Sequence, residues 1–404
     1  MATLDVSPFR RHRDFRLLFI GQGITFFGSM ITSVALPYQV YLLTRSSLAV
    51  GLLGVFQIGA ILSLAFLGGA LADARDRRMM VQLTEVALAL MSAVLLVNTV
   101  LPHPQLVVLY AVATLATGLD ALQRPSLDAI LPRLVERDEL MPAAALLSLR
   151  STVGMIAGPA LGGILIATIG LASTYAVDIV SFVLSLIALR AMRAVPPPPD
   201  AERPSIRRVV EGLRYARGRP ELMGTYLVDM VAMFFGMPEA LFPAIATHFG
   251  GAGVLGFLYA APAVGSFVAT GTSGWTKHVH RHGLAVIYAA FAWGVAITLF
   301  GFIRSLPIAL FFLACAGAAD MISGMFRSTI WNQTIPDALR GRLASIELVS
   351  YSSGPTLGNV ESGAVASVFS VRTSVVSGGI LCVIGVAVLG LALPKFRKYD
   401  ARLQ

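Results

Sequence analysis

The chain has 404 residues and a formal net charge of +9, with 56% hydrophobic but only 13% charged residues. An ordinary soluble domain carries about 25% charged residues. The mean hydropathy of +0.76 therefore argues against a soluble globular protein and indicates a chain that lies largely in a lipid bilayer.

Twelve apolar stretches are long enough to cross a membrane, for which about 20 residues are needed. They are called spans one to twelve and cover 15–43, 48–71, 79–101, 105–128, 142–168, 171–193, 221–247, 253–275, 283–303, 307–331, 343–368 and 372–394. They predict an all-α membrane protein with twelve transmembrane helices.

A polar, proline-rich segment divides the spans into two sets of six. We predict an N-terminal six-helix half at 1–193 and a C-terminal half at 221–394. Between them, 194–220 is expected to be a cytoplasmic linker with a short amphipathic helix, for which Ser205 is a candidate N-cap. The last residues, 395–404, form a cytoplasmic tail.

The Lys and Arg residues are concentrated in alternate connections. With the N-terminus inside, 25 of the 31 fall on the cytoplasmic side and three (Arg45, Arg304 and Arg372) on the other. Because cytoplasmic loops of membrane proteins carry an excess of Lys and Arg, both termini are expected in the cytoplasm of a cell (inner) membrane protein. The same asymmetry explains the basic charge without a nucleic-acid partner.

Two echoes suggest an internal duplication. The stretch GPALGG, which begins at Gly158, returns as GPTLGN from Gly354, and Asp120 in span four is matched by Asp320 in span ten. Corresponding echoes in both sets of six spans favour two related halves, as in many transporters.

The stretch GGALADARDRR, which follows span two, resembles the loop signature of the major facilitator superfamily. The matching residues are Gly69, Asp73, Arg77 and Arg78. The match is imperfect, because Ala74 and Asp76 stand where the family has a basic residue and a glycine.

Span five contains a second pattern, GMIAGPALGG, which resembles the antiporter motif of the same superfamily. Its residues are Gly154, Gly158, Pro159, Gly162 and Gly163. Glycines four apart share one helical face and allow close packing, and proline introduces a kink. The resemblance implies a hinge packed against span eight. Ordinary close packing without a gating role is the alternative.

The resemblance covers essentially the whole chain and extends to siderophore exporters of the enterobactin type and actinobacterial multidrug pumps. It implies that Asp73 caps a helix near the start of span eleven and takes part in gating, and that Arg77 and Arg78 pair with Asp128 or Glu136. A loop carboxylate without such a role is the alternative for Asp73.

Charged residues inside a membrane are costly and usually functional. The proton-coupling candidates are Glu239, Asp229, Glu361 and Asp320. Glu239 has no cation near it in sequence, and burial favours the protonated form of such a carboxyl group. Structural pairing is equally open for Asp320 with Arg327, and for Asp120 with Arg124.

Polar and aromatic residues within the spans suggest a cavity wall suited to a bulky, partly polar solute. The candidates are Gln22, Thr25, Ser29, Gln57, Phe234, Phe235, Trp331 and Asn332. Polar groups between packed helices are the alternative. Metal binding by His278, His280 and His282 is a further alternative to a basic loop, and no metal site is expected.

The resemblance therefore implies a secondary active exporter of a siderophore or drug-like amphiphile, coupled to proton influx. A uniporter or importer on the same fold, or a membrane enzyme or sensor, remains as an alternative. The chain lacks the G-x-x-x-x-G-K-[ST] loop of ATPases. We expect no enzyme activity and no cofactor, and a monomer whose partners are the solute, protons and lipid.

Overall fold

The computed structural model describes residues 5–74, 76–195, 215 and 217–403, with the backbone alone at 62, 64–74, 337–352 and 403. The longer helices are Arg13–Thr44, Ser47–Ala74, Arg77–Val100, Leu106–Leu134, Leu140–Arg190, Pro220–Gly236, Phe242–Phe249, Ala252–Gly271, His282–Phe302, Leu306–Thr334, Asp337–Val368 and Val371–Ala392. Ser7–Arg11 and Pro394–Arg397 are short helices. Most of the predicted linker, with Ser205, lies outside the described residues.

Nine helical stretches among the described residues are long and apolar enough to cross a membrane. One of them, Arg137–Arg190, contains both span five and span six. The helices Ser47–Ala74 and Asp337–Val368 coincide with spans two and eleven. Together these helices account for all twelve expected spans, and the prediction of an all-α membrane protein is confirmed.

The boundary between spans five and six is a single glycine. Gly170 has φ 80° and ψ 169° inside an otherwise continuous helix. A residue with a side chain rarely adopts this positive φ, whereas glycine does so without steric cost. The turn therefore falls between the expected end of span five at 168 and the expected start of span six at 171.

The chain forms two compact units. Unit 1 contains Met1–Leu43, Phe56–Pro204 and Gly250–Gly256, and unit 2 contains Thr44–Val55, Ser205–Phe249 and Phe257–Gln404. Each unit therefore includes the first turns of one span that otherwise belongs to the other: span eight begins in unit 1, and span two begins in unit 2.

At one end of unit 1, spans one, three, four and six meet around a buried apolar cluster. Its members are Leu18, Val81, Ile130, Leu189, Met192 and Val195. Each of these side chains is at most 5% exposed. This cluster fixes which faces of the four spans point inward. The polar side chains that lie on the same faces, further along these helices, are therefore also directed inward.

Candidate functional site

Span seven is broken in the part of unit 2 that carries Glu239. The helix Pro220–Gly236 ends before Met237 and Pro238, and the 3-10 turn Glu239–Leu241 follows. A proline lacks the backbone N–H that would continue the helix. Such discontinuous helices expose backbone groups, which must be satisfied by other partners within a membrane protein.

Asn359 of span eleven supplies one of those partners. Its side-chain Oδ1 accepts a hydrogen bond of 2.8 Å from the backbone N–H of Ala240, the residue after Glu239. The backbone oxygen of Glu239 accepts a longer bond, 3.4 Å, from the Tyr259 hydroxyl group. The asparagine that interrupts the second glycine motif therefore holds the break in span seven.

A charged cluster joins spans seven and ten, about two turns before the break. Arg327 forms an ion pair with Asp229, and its Nη2 lies 3.5 Å from Oδ1 of Asp320. The side chains of Asp229 and Arg327 are 7% and 10% exposed, whereas that of Asp320 is 43% exposed. The expected pairing of Asp320 with Arg327 is thus present, and Arg327 has a second, more buried partner that sequence reasoning did not identify.

Aromatic side chains lie beside this cluster. The indole N–H of Trp331 donates a 2.9 Å hydrogen bond to the Thr225 hydroxyl group, and its ring stacks on Tyr226 at 5.8 Å. Phe234 and Phe235 make an edge contact at 4.9 Å. All four rings are partly exposed. Partial exposure is what the lining of a solute-binding cavity requires.

Two further candidates of unit 2 have less defined surroundings. Asn332 is exposed, one residue after Trp331, and its amide lies 3.5 Å from the Ser328 hydroxyl group. Glu361 is half-buried on span eleven, two residues after Asn359.

The predicted cavity residues of unit 1 divide into two sets. Gln22 and Thr25 are 7% and 5% exposed and lie in the packed seam between spans. The Thr25 hydroxyl group donates to backbone carbonyls of its own helix. Ser29 and Gln57 are partly exposed. Gln22 and Thr25 thus follow the alternative given for them, polar groups between packed helices.

Two buried acids of unit 1 are held by uncharged donors. Glu85 of span three, which sequence reasoning missed, accepts a 2.5 Å hydrogen bond from Gln22. Asp178 of span six accepts bonds of 2.7 Å from Thr32 and from Ser92. At both positions an acid inside a predicted span is visible in the sequence, whereas its uncharged partners on other spans are not.

The pairing allowed for span four is absent. Within the part of the chain that the structure describes, no ion pair joins Asp120 to Arg124, and both side chains are exposed. Residues four apart on a helix are neighbours, but this spacing alone does not bring the two charged groups into contact.

The glycine motif of span five packs on two spans. A Cβ added at Gly158 would lie 2.4 Å from Cβ of Met30, in span one. A Cβ added at Gly163 would lie 2.6 Å from the backbone nitrogen of Gly256, and one at Gly256 would lie 2.3 Å from the carbonyl oxygen of Pro159. Span eight therefore packs backbone to backbone on span five, as expected. Gly154 and Gly162 likewise face Phe26 and Ile31 of span one.

The second copy of the motif makes the corresponding contacts in unit 2. A Cβ added at Gly358 would lie 2.2 Å from the carbonyl oxygen of Met233 in span seven. A Cβ added at Gly51, near the start of span two, would lie 2.3 Å from the carbonyl oxygen of Asn359. Span eleven thus packs on spans seven and two as span five packs on spans one and eight, which supports the duplication inferred from the echoes.

The loop signature has a different local arrangement from the expected one. Arg77 donates a 2.9 Å bond to the carbonyl oxygen of Ala129, and Arg78 donates to the carbonyl oxygen of Met192. Neither forms an ion pair with Asp128 or Glu136 among the described residues, because backbone carbonyls at the ends of spans four and six occupy their guanidinium groups. The side chain of Asp73 and the surroundings of Gly69 lie outside what the structure describes.

Asp76, where the family has a glycine, is the N-cap of span three. Its carboxylate accepts 2.9 Å bonds from the backbone N–H of Met79 and of Val195. A carboxylate is a favourable N-cap because it satisfies a free N–H group and interacts with the positive end of the helix dipole. Asp76, which departs from the signature, therefore has a structural role as a cap. An Asp directly before an apolar helix is the sequence signal that indicates such a cap.

Residues 3–403 match the family described as transmembrane secretion effector. The chain is 28% identical over 398 residues to the enterobactin exporter EntS of Escherichia coli O1:K1 / APEC, a match that covers 98% of this chain and 95% of that protein. It is 29% identical to the enterobactin exporter EntS of Shigella boydii serotype 18 over the same shares of both chains.

Solved transporter structures share the fold. A bacterial homologue of the human lysosomal transporter Spinster superposes with a TM-score of 0.75 at 16% identity, covering 96% of this chain and 98% of that one. The nucleoside transporter NupG gives a TM-score of 0.76 at 11% identity over 95% and 99% of the two chains. A bacterial homologue of the iron transporter ferroportin gives 0.72 at 15% identity over 95% and 98%.

Proposed function

Because the chain belongs to the transmembrane secretion effector family of the major facilitator superfamily, we propose that it is a secondary active exporter that works by alternating access and is driven by proton influx. The membrane spans and the relatives named as exporters support this proposal. In this mechanism a carrier exposes one site to each side of the membrane in turn, and the ligand shifts the balance between the two states.

The cargo is a siderophore or a drug-like amphiphile. The relatives named enterobactin exporter match this chain over 98% of its length, and enterobactin is therefore the first compound to test. The partly exposed rings around Trp331 and Phe234 offer aromatic surface, and the neighbouring Asn332 offers an amide. Binding sites for such solutes are mostly apolar, with a few polar groups that orient the ligand.

The observation that carries proton coupling is the shared arginine in unit 2. Arg327 contacts both Asp229 and Asp320. Protonation of one carboxyl group removes its negative charge, and Arg327 then pairs with the other carboxylate. The cluster therefore has two arrangements, and the position of the proton selects between them. Asp320, the more exposed acid, is the group that meets water, and Asp229 is the buried partner.

Glu239 is a second coupling position on the same span. It lies at the break in span seven, where the uncharged side chain of Asn359 is bonded to the next residue, Ala240. Broken helices mark the substrate and coupling-ion sites of many transporters. Glu361, two residues after Asn359, is the outermost candidate of this group.

The remaining features complete the proposal. Both termini lie in the cytoplasm, the halves are 1–193 and 221–394, and the carrier works as a monomer in the inner membrane. Asp73 gates the cytoplasmic side together with Gly69. The basic loops, which hold most of the Lys and Arg residues, support this orientation.

The test is export by proteoliposomes loaded with enterobactin, with and without an imposed pH gradient. The proposal expects faster export when the gradient drives protons in the opposite direction to the cargo. Equal rates with and without the gradient indicate a uniporter, and accumulation against the proposed direction indicates an importer. A thermal-shift screen of siderophores and antibiotics identifies another cargo if enterobactin does not stabilise the protein.

Glu239→Gln is the sharpest variant for coupling. We expect it to abolish gradient-driven export while leaving cargo binding, measured by thermal shift, within a factor of about two of the wild-type affinity, since Gln keeps the shape but binds no proton. Glu221→Gln is the matched control, because Glu221 lies on the same span and pairs with Arg219 at the helix start, away from the break. Full gradient-driven export by Glu239→Gln would exclude Glu239 as the coupling acid.

A further inference from the structure

A buried carboxyl group in unit 1 is bonded at only one of its two oxygens. Glu85 of span three is 1% exposed. Its Oε1 accepts a 2.5 Å hydrogen bond from the amide of Gln22 and a 2.9 Å bond from the hydroxyl group of Ser185. Its Oε2 is buried and has no hydrogen-bond partner among the described residues.

This division between the two oxygens distinguishes a carboxylic acid from a carboxylate. An ionised carboxylate accepts hydrogen bonds at both oxygens, whereas the acid accepts at one and carries its proton on the other. A buried charge without a cation costs several kcal/mol. With both donors on Oε1, the geometry places the proton of Glu85 on Oε2.

Asp178 of span six has different surroundings. Its Oδ2 accepts 2.7 Å bonds from Thr32 and Ser92. The Ser181 hydroxyl group lies 3.4 Å from Oδ1, but its single proton goes to the backbone carbonyl oxygen of Asp178 at 2.7 Å. Among the described residues, each oxygen of Asp178 thus has a hydroxyl group within hydrogen-bond distance, whereas Oε2 of Glu85 has none.

The groups that face Glu85 are uncharged. Span one contributes Gln22 and span six contributes Ser185. Gln82, one turn earlier on span three, has a side-chain nitrogen that is also buried without a partner. The acid of span six is Asp178, seven residues from Ser185.

Three arginines lie on the helices of spans three and five. Arg77 and Arg78 are eight and seven residues before Glu85, about 10–12 Å along the helix, and each donates one bond to a backbone carbonyl oxygen. Arg150 of span five lies over the Phe19 ring at 5.8 Å, and its Nε and Nη1 are buried without a hydrogen-bond partner among the described residues. In the described part of the chain, no ion pair joins any of these arginines to Glu85.

We propose that Glu85 is a proton-binding site of unit 1, which holds its proton on Oε2 in the resting protein and releases it to water during transport. The O–H bond breaks, its electron pair stays on the carboxylate, and the Gln22 and Ser185 donors stabilise the ion that remains. This inference deepens the proposed proton-driven export and rests on it, but it places a proton in the unit that has no shared arginine.

Infrared difference spectroscopy of the full-length protein in lipid nanodiscs tests the site without a cargo. The difference between the spectra in mildly acidic and mildly alkaline buffer contains the carbonyl stretch of every carboxylic acid that loses its proton. We expect Glu85→Gln to remove one such band, because its amide keeps both hydrogen bonds on Oε1 but cannot titrate. Asp178→Asn is the matched control and is expected to leave that band in place.

Two results overturn the proposal: a Glu85→Gln spectrum identical to the wild-type spectrum, and loss of the same band in Asp178→Asn. If Glu85→Gln does not fold, Glu85→Asp replaces it, and a band that does not shift in that variant is equally decisive against Glu85. Enterobactin-loaded proteoliposomes then separate the two proposals. Wild-type export that does not depend on the pH gradient would contradict the proposed function. The infrared band tests the proton site independently of export.

Discussion

Two clusters of acids within the spans, one in each unit, are held in different ways. In unit 2, the buried Asp229 and the more exposed Asp320 share the guanidinium group of Arg327. In unit 1, Asp178 is held by hydroxyl groups, and Glu85 by an amide and a hydroxyl group, whereas Glu139, just before the helix of span five, pairs with Arg11. A cation compensates the charge of an acid, whereas neutral donors only reduce the cost of burying it. The two clusters within the spans therefore differ in whether a cation compensates the acid.

The packing of the two units does not show this difference. Gly163 of span five approaches the backbone of span eight, and Gly358 of span eleven approaches the backbone of span seven. The two motifs thus keep their close contacts in both copies. The duplicated helices have retained their packing while the polar groups between them have diverged, as small residues at an interface constrain its geometry but not its neighbouring charges.

The largest expected effect comes from breaking the charged cluster. Arg327→Met leaves the buried Asp229 carboxylate without a cation, a change that costs about 3–5 kcal/mol when a buried pair loses one partner. Adding Asp229→Asn should restore most of that stability, because no buried charge then remains. Thermal unfolding of the purified variants measures both effects.

The control for this pair is Arg124→Met in unit 1. Arg124 is exposed and forms no ion pair among the described residues, so its replacement should change stability by no more than about 0.5 kcal/mol. If Arg327→Met is as stable as the control, the shared arginine does not compensate buried charge and the contrast between the two units fails.

The second effect tests what the units share. Gly163→Ala and Gly358→Ala each place a Cβ within 2.7 Å of a backbone atom of a neighbouring span. Overpacking of this kind costs about 1–3 kcal/mol, and we expect similar losses in both units by the same thermal assay. Gly59→Ala is the control, because a Cβ there meets nothing within 4 Å. A loss at one glycine only would show that the two motifs no longer pack alike.

Part of this arrangement could be predicted from the sequence. The length and apolar composition of the spans require a membrane fold, and two glycine motifs at corresponding places indicated the duplication. The pairing of Asp320 with Arg327 followed from their spacing on one helix. These features depend on local composition or on residues of a single helix, where the period of 3.6 residues fixes relative positions.

Contacts between spans could not be predicted in the same way. Span one contains polar residues but has no clear apolar face, so no amphipathic period shows whether Gln22 faces a cavity or another helix. In the structure it faces Glu85. In the sequence, Asn359 is recognisable only as the residue that replaces a glycine in the second copy of the motif. Its role at the break in span seven depends on a contact 119 residues away, which no local pattern encodes.

The smallest effect concerns the hydroxyl groups of unit 1. Ser92→Ala removes one of the donors to Asp178, whereas Thr32 still donates to the same oxygen. Loss of a hydrogen bond to a charged group costs about 1.5–3 kcal/mol, and a remaining donor reduces that loss toward about 1 kcal/mol. We expect a decrease of this size in the free energy of unfolding, well below that of Arg327→Met.

Ser33→Ala is the matched control for Ser92→Ala. The Ser33 hydroxyl group is exposed and donates only to the carbonyl oxygen of Met30 in its own helix, so its loss should change stability by less than about 0.5 kcal/mol. Equal stability of the two variants would mean that Asp178 does not depend on its hydroxyl donors. The charge of that acid would then have to be compensated in unit 1 as it is in unit 2, and the difference between the units would disappear.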